Sequence, residues 1–462
     1  MTTGELPERP ANSLSDINSS VRLGGRTGWR RALVFAGPAF LISVGYMDPG
    51  NWATDLAGGS KFGYTLLWVV LASSFMAIVL QTLCARMGIA MDCDLAQACR
   101  RYYPRPVTWI LWILCEVAIV ACDIAEVIGS AIALKLLFKI PLTMGVIITG
   151  FDVLILLALT HLGFRKLEAV VVALISTIVV CFGINIFWAK PDWASAAGGL
   201  VTPSLPTQEA LLIAVGILGA TVMPHNLYLH TSLVQSRQYE RTEVGRKEAI
   251  KLSTVETWIA LGAAFFVNAA ILVLAAATFH AGGIKVEELE DAHRLLAPVL
   301  GGVASTLFAI ALLCAGQSST ITATLAGQIV MEGFLQVKVA PWIRRMLTRG
   351  LAIIPALLMV STTGEHQTNQ LLVGTQVILA LQLPFAVFPL IAFTANKHLM
   401  GGFVSPRWLT AVACVVALLI TGLNVQYLIT TFGWAFVACG ALVLAGFGVY
   451  WWQNRHNVPA EV

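Results

Sequence analysis

Charge is scarce in this chain. Asp, Glu, Lys and Arg make up 12% of its 462 residues, against roughly 25% in soluble domains. With 57% hydrophobic residues and a mean hydropathy of +0.79, the composition excludes a disordered chain, a nucleic-acid binder with a basic face and almost any soluble enzyme. A net charge of +4 is too small to imply an anionic polymer as partner. Paired cysteine motifs are missing as well. The nine cysteines, at 84, 93, 99, 115, 122, 181, 314, 414 and 439, lie mostly in apolar runs without a CxxC pair. Neither a disulfide framework nor a thiolate metal site is expected. The first 30 residues are polar, with no apolar h-region. No cleavable signal peptide is expected, and insertion falls to the first spanning helix.

What is present is a series of apolar stretches near the roughly 20 residues that cross a bilayer. They run at about 34–58, 64–88, 106–134, 141–161, 167–188, 209–235, 253–279, 297–325, 345–361, 369–394, 407–425 and 429–452. Twelve spans are expected, with eleven as the nearest alternative. The connections are short and polar, and none is long enough for a soluble domain. Lys and Arg check the count. Assigned alternately to the two sides, 23 of the 29 basic residues fall with the termini. Only Lys61, Lys135, Lys139, Lys190, Lys285 and Arg294 fall opposite. By the positive-inside rule both termini are expected in the cytoplasm. The chain then reads as a multi-pass protein of the plasma (inner) membrane. The acidic stretch Glu287, Glu288, Glu290 and Asp291 falls on an outer loop, expected to be solvated, with attraction of cations to the outer mouth as the sharper alternative.

Two spans are interrupted. The first contains Gly45-Tyr46-Met47-Asp48-Pro49-Gly50-Asn51 and the sixth Gly219-Ala220-Thr221-Val222-Met223-Pro224-His225-Asn226. Pro49 and Pro224 each remove a backbone donor and crowd the preceding turn. In lipid the freed carbonyls need another partner, which a broken helix lining a cavity supplies. Five helices separate the interruptions, so the two spans run in opposite directions. That is the pattern of an inverted five-helix repeat with its substrate site at the midplane. Both breaks present C-terminal half-helix ends, with partial negative charge, so a cation is the expected guest. Asp48 offers an anionic oxygen, Asn51 a neutral one and Met223 a thioether, which favours softer transition metals over sodium, magnesium or calcium. His225 lies two residues past Met223, about 200° around a regular helix, so a proton role fits it better than direct ligation. His230 reads as structural.

These residues resemble the Nramp family of divalent-metal transporters, in its bacterial branch. The resemblance rests on Asp48-Pro49-Gly50-Asn51, Met223-Pro224-His225-Asn226 and Gly316-Gln317-Ser318-Ser319-Thr320 with Gly327-Gln328, in that order, and covers about 35–425. It implies an all-α, LeuT-like fold and proton-coupled import of Mn²⁺, Fe²⁺ and related metals. It further implies metal ligation by Asp48, Asn51 and Met223, helped by the backbone carbonyls of Gly45 and Ala220. A glutamine of the tenth helix approaches the metal in some states. Gln376 is the best match, with Gln382 close by. The related magnesium-transporting branch lacks the methionine, so Met223 argues against it.

The third span carries Glu116, Asp123 and Glu126, at spacings that place all three on one helical face. A carboxylate at membrane depth costs about 2.5–3.5 kcal/mol on insertion scales, so this stripe is expected to line a polar interior. A salt-bridge network with Arg349 and a chain of titratable groups are compatible roles for it. The resemblance implies a proton path through Asp123, Glu126, His225 and Arg349, and Glu116 is added from its spacing. Metal must compete with a proton for Asp48, and His225 titrates near neutrality if unperturbed, so a relay from Asp48 through His225 towards Asp123 is expected. Asp152, Glu256 and Asn268 are further polar residues at depth, the last two expected to bond between helices. Gln317–Thr320 is expected against the broken helices, and Glu168 and Glu332, near helix ends, are read as wet.

A sodium-coupled carrier of an amino acid or similar organic solute on the same fold is the alternative; Met223 beside Asp48 speaks against it. An intramembrane metalloenzyme lacks HExxH or clustered histidines, and a channel fits the inverted repeat less well than alternating access. The expected organisation is a cytoplasmic tail over 1–33, a first five-helix repeat over 34–189, its inverted counterpart over 190–395, and additional spans with a short tail over 396–462. The chain is expected to act as a monomer, with divalent metal ions and protons as substrates, membrane lipid around it, no nucleic-acid partner and no cofactor.

Overall fold

The structure is a computed structural model describing residues 21–22, 32, 35–151, 164–284, 286, 288–337, 341–363 and 367–435. It is mainly helical, with one short parallel pair, β1 (Val21–Arg22) and β2 (Arg237–Gln238). The first span is two helices, α1 (Pro38–Gly45) and α2 (Pro49–Phe62). Then come α3 (Leu67–Met91), the short α4 (Leu95–Tyr102), α5 (Arg105–Phe138), α6 (Leu142–Thr149), α7 (Phe164–Ala189) and α8 (Trp193–Val201). The sixth span is again two helices, α9 (Gln208–Val222) and α10 (Pro224–Leu233). It is followed by α11 (Glu243–Ala275), α12 (Leu289–Leu300), α13 (Gly302–Leu335), α14 (Pro341–Thr363), α15 (Thr368–Ala395) and, past a short turn, α16 (Arg407–Phe432). Asp, Thr and Glu open several of these helices. Asp48, Asp94, Asp192, Thr207 and Thr242 each accept a backbone N–H of the first turn, satisfying donors that have no intrahelical partner.

Among the described residues, eight helical stretches are long and apolar enough to cross a membrane. Helices meet the first eleven expected spans. The fourth is described only through α6, since Asp152 and its neighbours lie outside the described residues, and the twelfth only as far as residue 435. α5 packs along α13 and α15, α3 along α11, and α9 along α15. The interrupted spans sit among them, α2 touching α5, α9, α11 and α15. Trp52 anchors α2 by edge contacts with Phe182 and Phe308, centroids 4.8 and 5.1 Å away.

One end of the bundle is basic, and a polar clamp closes it. Glu256 Oε1 on α11 accepts the backbone N–H of Gly37 (2.6 Å) and Ala39 (2.9 Å), capping α1 from across the fold. Arg237 donates to the carbonyls of Phe35 (2.6 Å) and Ala36 (2.9 Å) and pairs with Glu168 at 2.6 Å. Arg165 reaches the same Ala36 carbonyl and Glu168. Glu256 and Asn268 bond between helices as expected. Glu168 corrects the expectation of a wet residue: it is buried, because Arg237 and Arg165 supply its partners.

At the opposite end, Ser60, Lys61, Glu209, His280, Glu288 and Asn369 help line a cavity of about 660 Å³. The acidic stretch lies here but is not a free solvated loop. Glu287 lies outside the described residues. Glu288 caps α12 and accepts from Thr368 Oγ1 (2.5 Å) and the Asn369 N–H (2.8 Å). Glu290 pairs with Lys135 and Asp291 with Arg294.

Candidate functional site

The two interruptions meet at the centre of the bundle. α1 stops at Gly45, and Asp48 opens α2 in extended conformation, with Pro49 at the first helical position where a missing N–H costs nothing. Asp48 Oδ1 accepts from both the backbone N–H and the Nδ2 of Asn51, each at 2.8 Å. α9 stops at Val222, and Met223 joins it to α10 with φ at 33°. A side chain seldom occupies this left-handed region, so the surrounding packing must hold it. Asn51 Nδ2 then crosses to the Ala220 carbonyl at 3.0 Å, tying one break to the other.

Around this crossing, oxygens outnumber donors. Asp48 Oδ2, Asn226 Oδ1, Asn268 Oδ1 and Gln376 Oε1 are all buried without a hydrogen-bond partner. Such atoms are costly to leave bare. Asn226 Nδ2 approaches Met223 Sδ at 3.5 Å, and Asn268 Nδ2 approaches the Tyr46 carbonyl (2.8 Å) and Asn51 Oδ1 (3.3 Å). Two glycines permit the closeness. A Cβ on Gly45 would fall 2.4 Å from Asn226 Nδ2, and one on Gly50 would fall 1.9 Å from Gln376 Nε2. Gln376 therefore lies over the start of α2. Gln382 is buried with both amide atoms unpartnered.

The donor set can hold a cation: one carboxylate, amide and backbone carbonyl oxygens, and a thioether. The Ala220 carbonyl keeps a second lone pair beyond the one Asn51 uses. Among the described residues no three His, Cys, Asp or Glu side chains cluster as a metal group. The single carboxylate and the sulfur set the chemistry, which suits a borderline-soft divalent ion.

The carboxylate stripe on α5 faces α14. Asp123 pairs with Arg345 at 2.5 Å, and Glu126 with Arg345 at 3.3 Å and Arg349 at 3.5 Å. Thr320 donates to Glu126 Oε2 at 3.0 Å and accepts from Arg349 Nη2 at 3.0 Å. Nearer the basic end, Glu116 takes both carboxylate oxygens to Arg344 at 2.8 and 2.9 Å. The sequence marked Arg349 as the partner; the structure adds Arg344 and Arg345, both buried. For Arg345 the signal was its spacing to Arg349, one helical turn on one face. Thr320 joins this network, while its helix α13 packs against the half-helices α1 and α10. His225, buried at the start of α10, has no hydrogen-bond partner at Nδ1.

His230, read as structural from the sequence, is wholly buried. Its Nδ1 meets Gln81 Oε1 at 2.9 Å, and Gln81 Nε2 donates to the Tyr46 hydroxyl at 2.6 Å. The three side chains link α10, α3 and the first break on the basic side of Asp48. Asp55 escaped the sequence reading altogether. It is wholly buried on α2, with neither carboxylate oxygen hydrogen-bonded.

Comparison with known proteins identifies the family. Residues 39–430 match the family model Nramp, natural resistance-associated macrophage protein-like. A protein of Nostoc sp. named divalent metal cation transporter MntH is 55% identical over 93% of this chain and 98% of its own. One of the same name from Xanthomonas campestris pv. campestris is 57% identical over 91% and 96%. A crystal structure of the Eremococcus coleocola manganese transporter superposes with a TM-score of 0.86 at 41% identity, covering 95% of this chain and 98% of that one. Mhp1, a nucleobase-cation-symport-1 family transporter, superposes at 0.55 with 16% identity, covering 90% and 95%; that likeness concerns the fold alone, an all-α, polytopic, LeuT-like one. With one family model along most of its length and relatives more than half identical over nine-tenths of it, the chain belongs to the Nramp family.

Proposed function

We propose that this protein imports Mn²⁺, and Fe²⁺ or similar transition-metal ions, coupled to protons. That it is a divalent metal ion transporter and not an enzyme follows from its family and relatives; the metal, the direction and the coupling ion are the proposal. The carrying observation is the set of bare oxygens from Asp48, Asn226, Asn268 and Gln376 beside the Met223 thioether, where the two half-helix ends meet. Metal is held there by Asp48, Asn51, Met223 and the Gly45 and Ala220 carbonyls, with Gln376 closing over the site. The repeats are 34–189 and 190–395. The basic end is cytoplasmic, in the inner membrane, and the chain works as a monomer.

In alternating access the site opens to one side at a time. The cavity near His280 and Glu209 supplies the outer approach, while Glu256, Arg237 and Glu168 close the inner end around α1. Opening inward requires α1 to leave that clamp. Metal displaces the proton of Asp48, and His225 passes it to the chain of Asp123, Glu126, Thr320 and Arg349, with Glu116 nearer the cytoplasm. Purified protein in liposomes tests this. Mn²⁺ influx with internal acidification is the expected result. Calcium transport without Mn²⁺ transport or competition by Cd²⁺ would refute it.

A further inference from the structure

Charge arithmetic at the break leaves a remainder. A divalent ion on Asp48 makes a buried complex of net charge +1, because every other donor of the site is neutral. A net charge held deep in a low-dielectric interior is expensive. Other acids that could cancel it are otherwise engaged: Asp123 and Glu126 on α5 are matched by Arg345 and Arg349. Glu209, opening α9, pairs with Lys61. Glu256 on α11 caps α1, and Glu288 is bonded to Thr368 and Asn369. His280, in the turn beyond α11, lies against the Ser60 carbonyl.

Asp55 alone among these acids is uncommitted. It sits one turn beyond Asn51 and two beyond Asp48, on the same face of α2. It is wholly buried, both oxygens lack a hydrogen-bond partner, and no salt bridge to it is recorded among the described residues. A carboxyl so placed has two states open to it: a neutral acid, or an anion facing a cation. We infer that Asp55 is the counter-charge of the loaded site: it holds a proton when the site is empty and gives it up when a divalent ion binds at Asp48. The exchange balances. One M²⁺ enters, one proton leaves Asp48 and one leaves Asp55, so the buried region is neutral before and after. This rests on metal binding at Asp48 and adds a second exchanged proton.

Seven residues of helix are about 10 Å. Across that distance, at an effective dielectric of about 20, a full charge alters the binding of a divalent ion by an order of magnitude or more. The experiment is calorimetry of Mn²⁺ binding to the full-length protein in lipid nanodiscs, at one pH, in buffers of differing ionisation enthalpy. This yields both affinity and protons released per ion. Asp55→Asn is expected to bind Mn²⁺ about tenfold more weakly or worse, and to release close to one proton fewer. Asp55→Glu restores both, which a purely structural role would not do. Asp55→Ser serves where Asp55→Asn does not purify. Unchanged proton release and affinity within twofold in Asp55→Asn would make Asp55 a permanently neutral acid and overturn the inference. Absence of Mn²⁺ binding by the wild type would instead overturn the metal assignment beneath it.

Discussion

Asn51 and Ala220, 169 positions apart, are joined by a single hydrogen bond: Asn51 Nδ2 lies 3.0 Å from the Ala220 carbonyl. The same amide holds Asp48 Oδ1, so one side chain orients the carboxylate and fixes the distance between the breaks. Asn51→Ala is expected to weaken Mn²⁺ binding about ten- to a hundredfold. A hydrogen bond to a charged group contributes about 1.5–3 kcal/mol, and each 1.4 kcal/mol is about tenfold. Calorimetry decides it; an unchanged affinity would mean that neither break depends on Asn51.

Met223 tests the softness of the site. Replacing it by Ala removes the thioether and leaves oxygen donors. Mn²⁺ affinity is expected to fall while Ca²⁺ becomes tolerated, both read by calorimetry. Equal losses for the two ions would assign Met223 to packing.

The Asp123–Arg345 pair sets a stability prediction. Removing one partner of a buried pair leaves an uncompensated charge and costs about 3–5 kcal/mol. Arg345→Leu should therefore melt well below the wild type, and Arg345→Leu with Asp123→Asn should recover part of the loss. Additive losses in the two single variants would deny the coupling. Asp123→Asn alone is expected to keep Mn²⁺ binding and lose metal-stimulated proton entry in liposomes. Loss of binding with proton flux intact would remove Asp123 from the route.

Glu256→Ala leaves the Gly37 and Ala39 amides without their acceptor. Hydrogen exchange across 37–45 is expected to quicken, while exchange in α13 stays unchanged. Equal protection in both proteins would mean that α1 is held by its apolar packing alone.

Glu288 supplies a pH dependence at the end of the bundle opposite the Glu256 clamp. Burial raises its carboxyl above the ordinary value, outweighing the hydrogen bonds from Thr368 and Asn369 that lower it. The folded protein thus binds this proton more tightly than the unfolded chain does. Stability from this group is full below the ordinary carboxylate range and falls as pH rises through the raised value. Glu288→Gln, neutral throughout, should flatten that part of the melting-temperature profile. Parallel profiles would exclude Glu288 as its source.

Much of the site was legible because polar residues are scarce in this chain. A proline flanked by Asp48 and Asn51, or by Met223 and His225, is conspicuous inside an apolar run. The stripe of Glu116, Asp123 and Glu126 is equally so. Arg344 and Arg345 were hidden by position: near a helix end they count towards orientation, and only the approach of α14 to α5 turns them inward. Glu168 was misread for the same reason. The Tyr46, Gln81 and His230 bridge needs three elements brought together, which no local spacing encodes. Asp55 was missed because it follows a stronger signal in the same span, and its interest lies in the partners it lacks.

The Glu256 cap has a consequence for biogenesis. Its acceptor lies 219 positions beyond the Gly37 amide, so the first span enters the bilayer long before the helix that caps it is synthesised. Until α11 arrives, the leading amides of α1 can be satisfied only by water or lipid headgroups. A nascent chain halted before α11 would therefore carry a loosely seated first span, exposed to quality-control proteases.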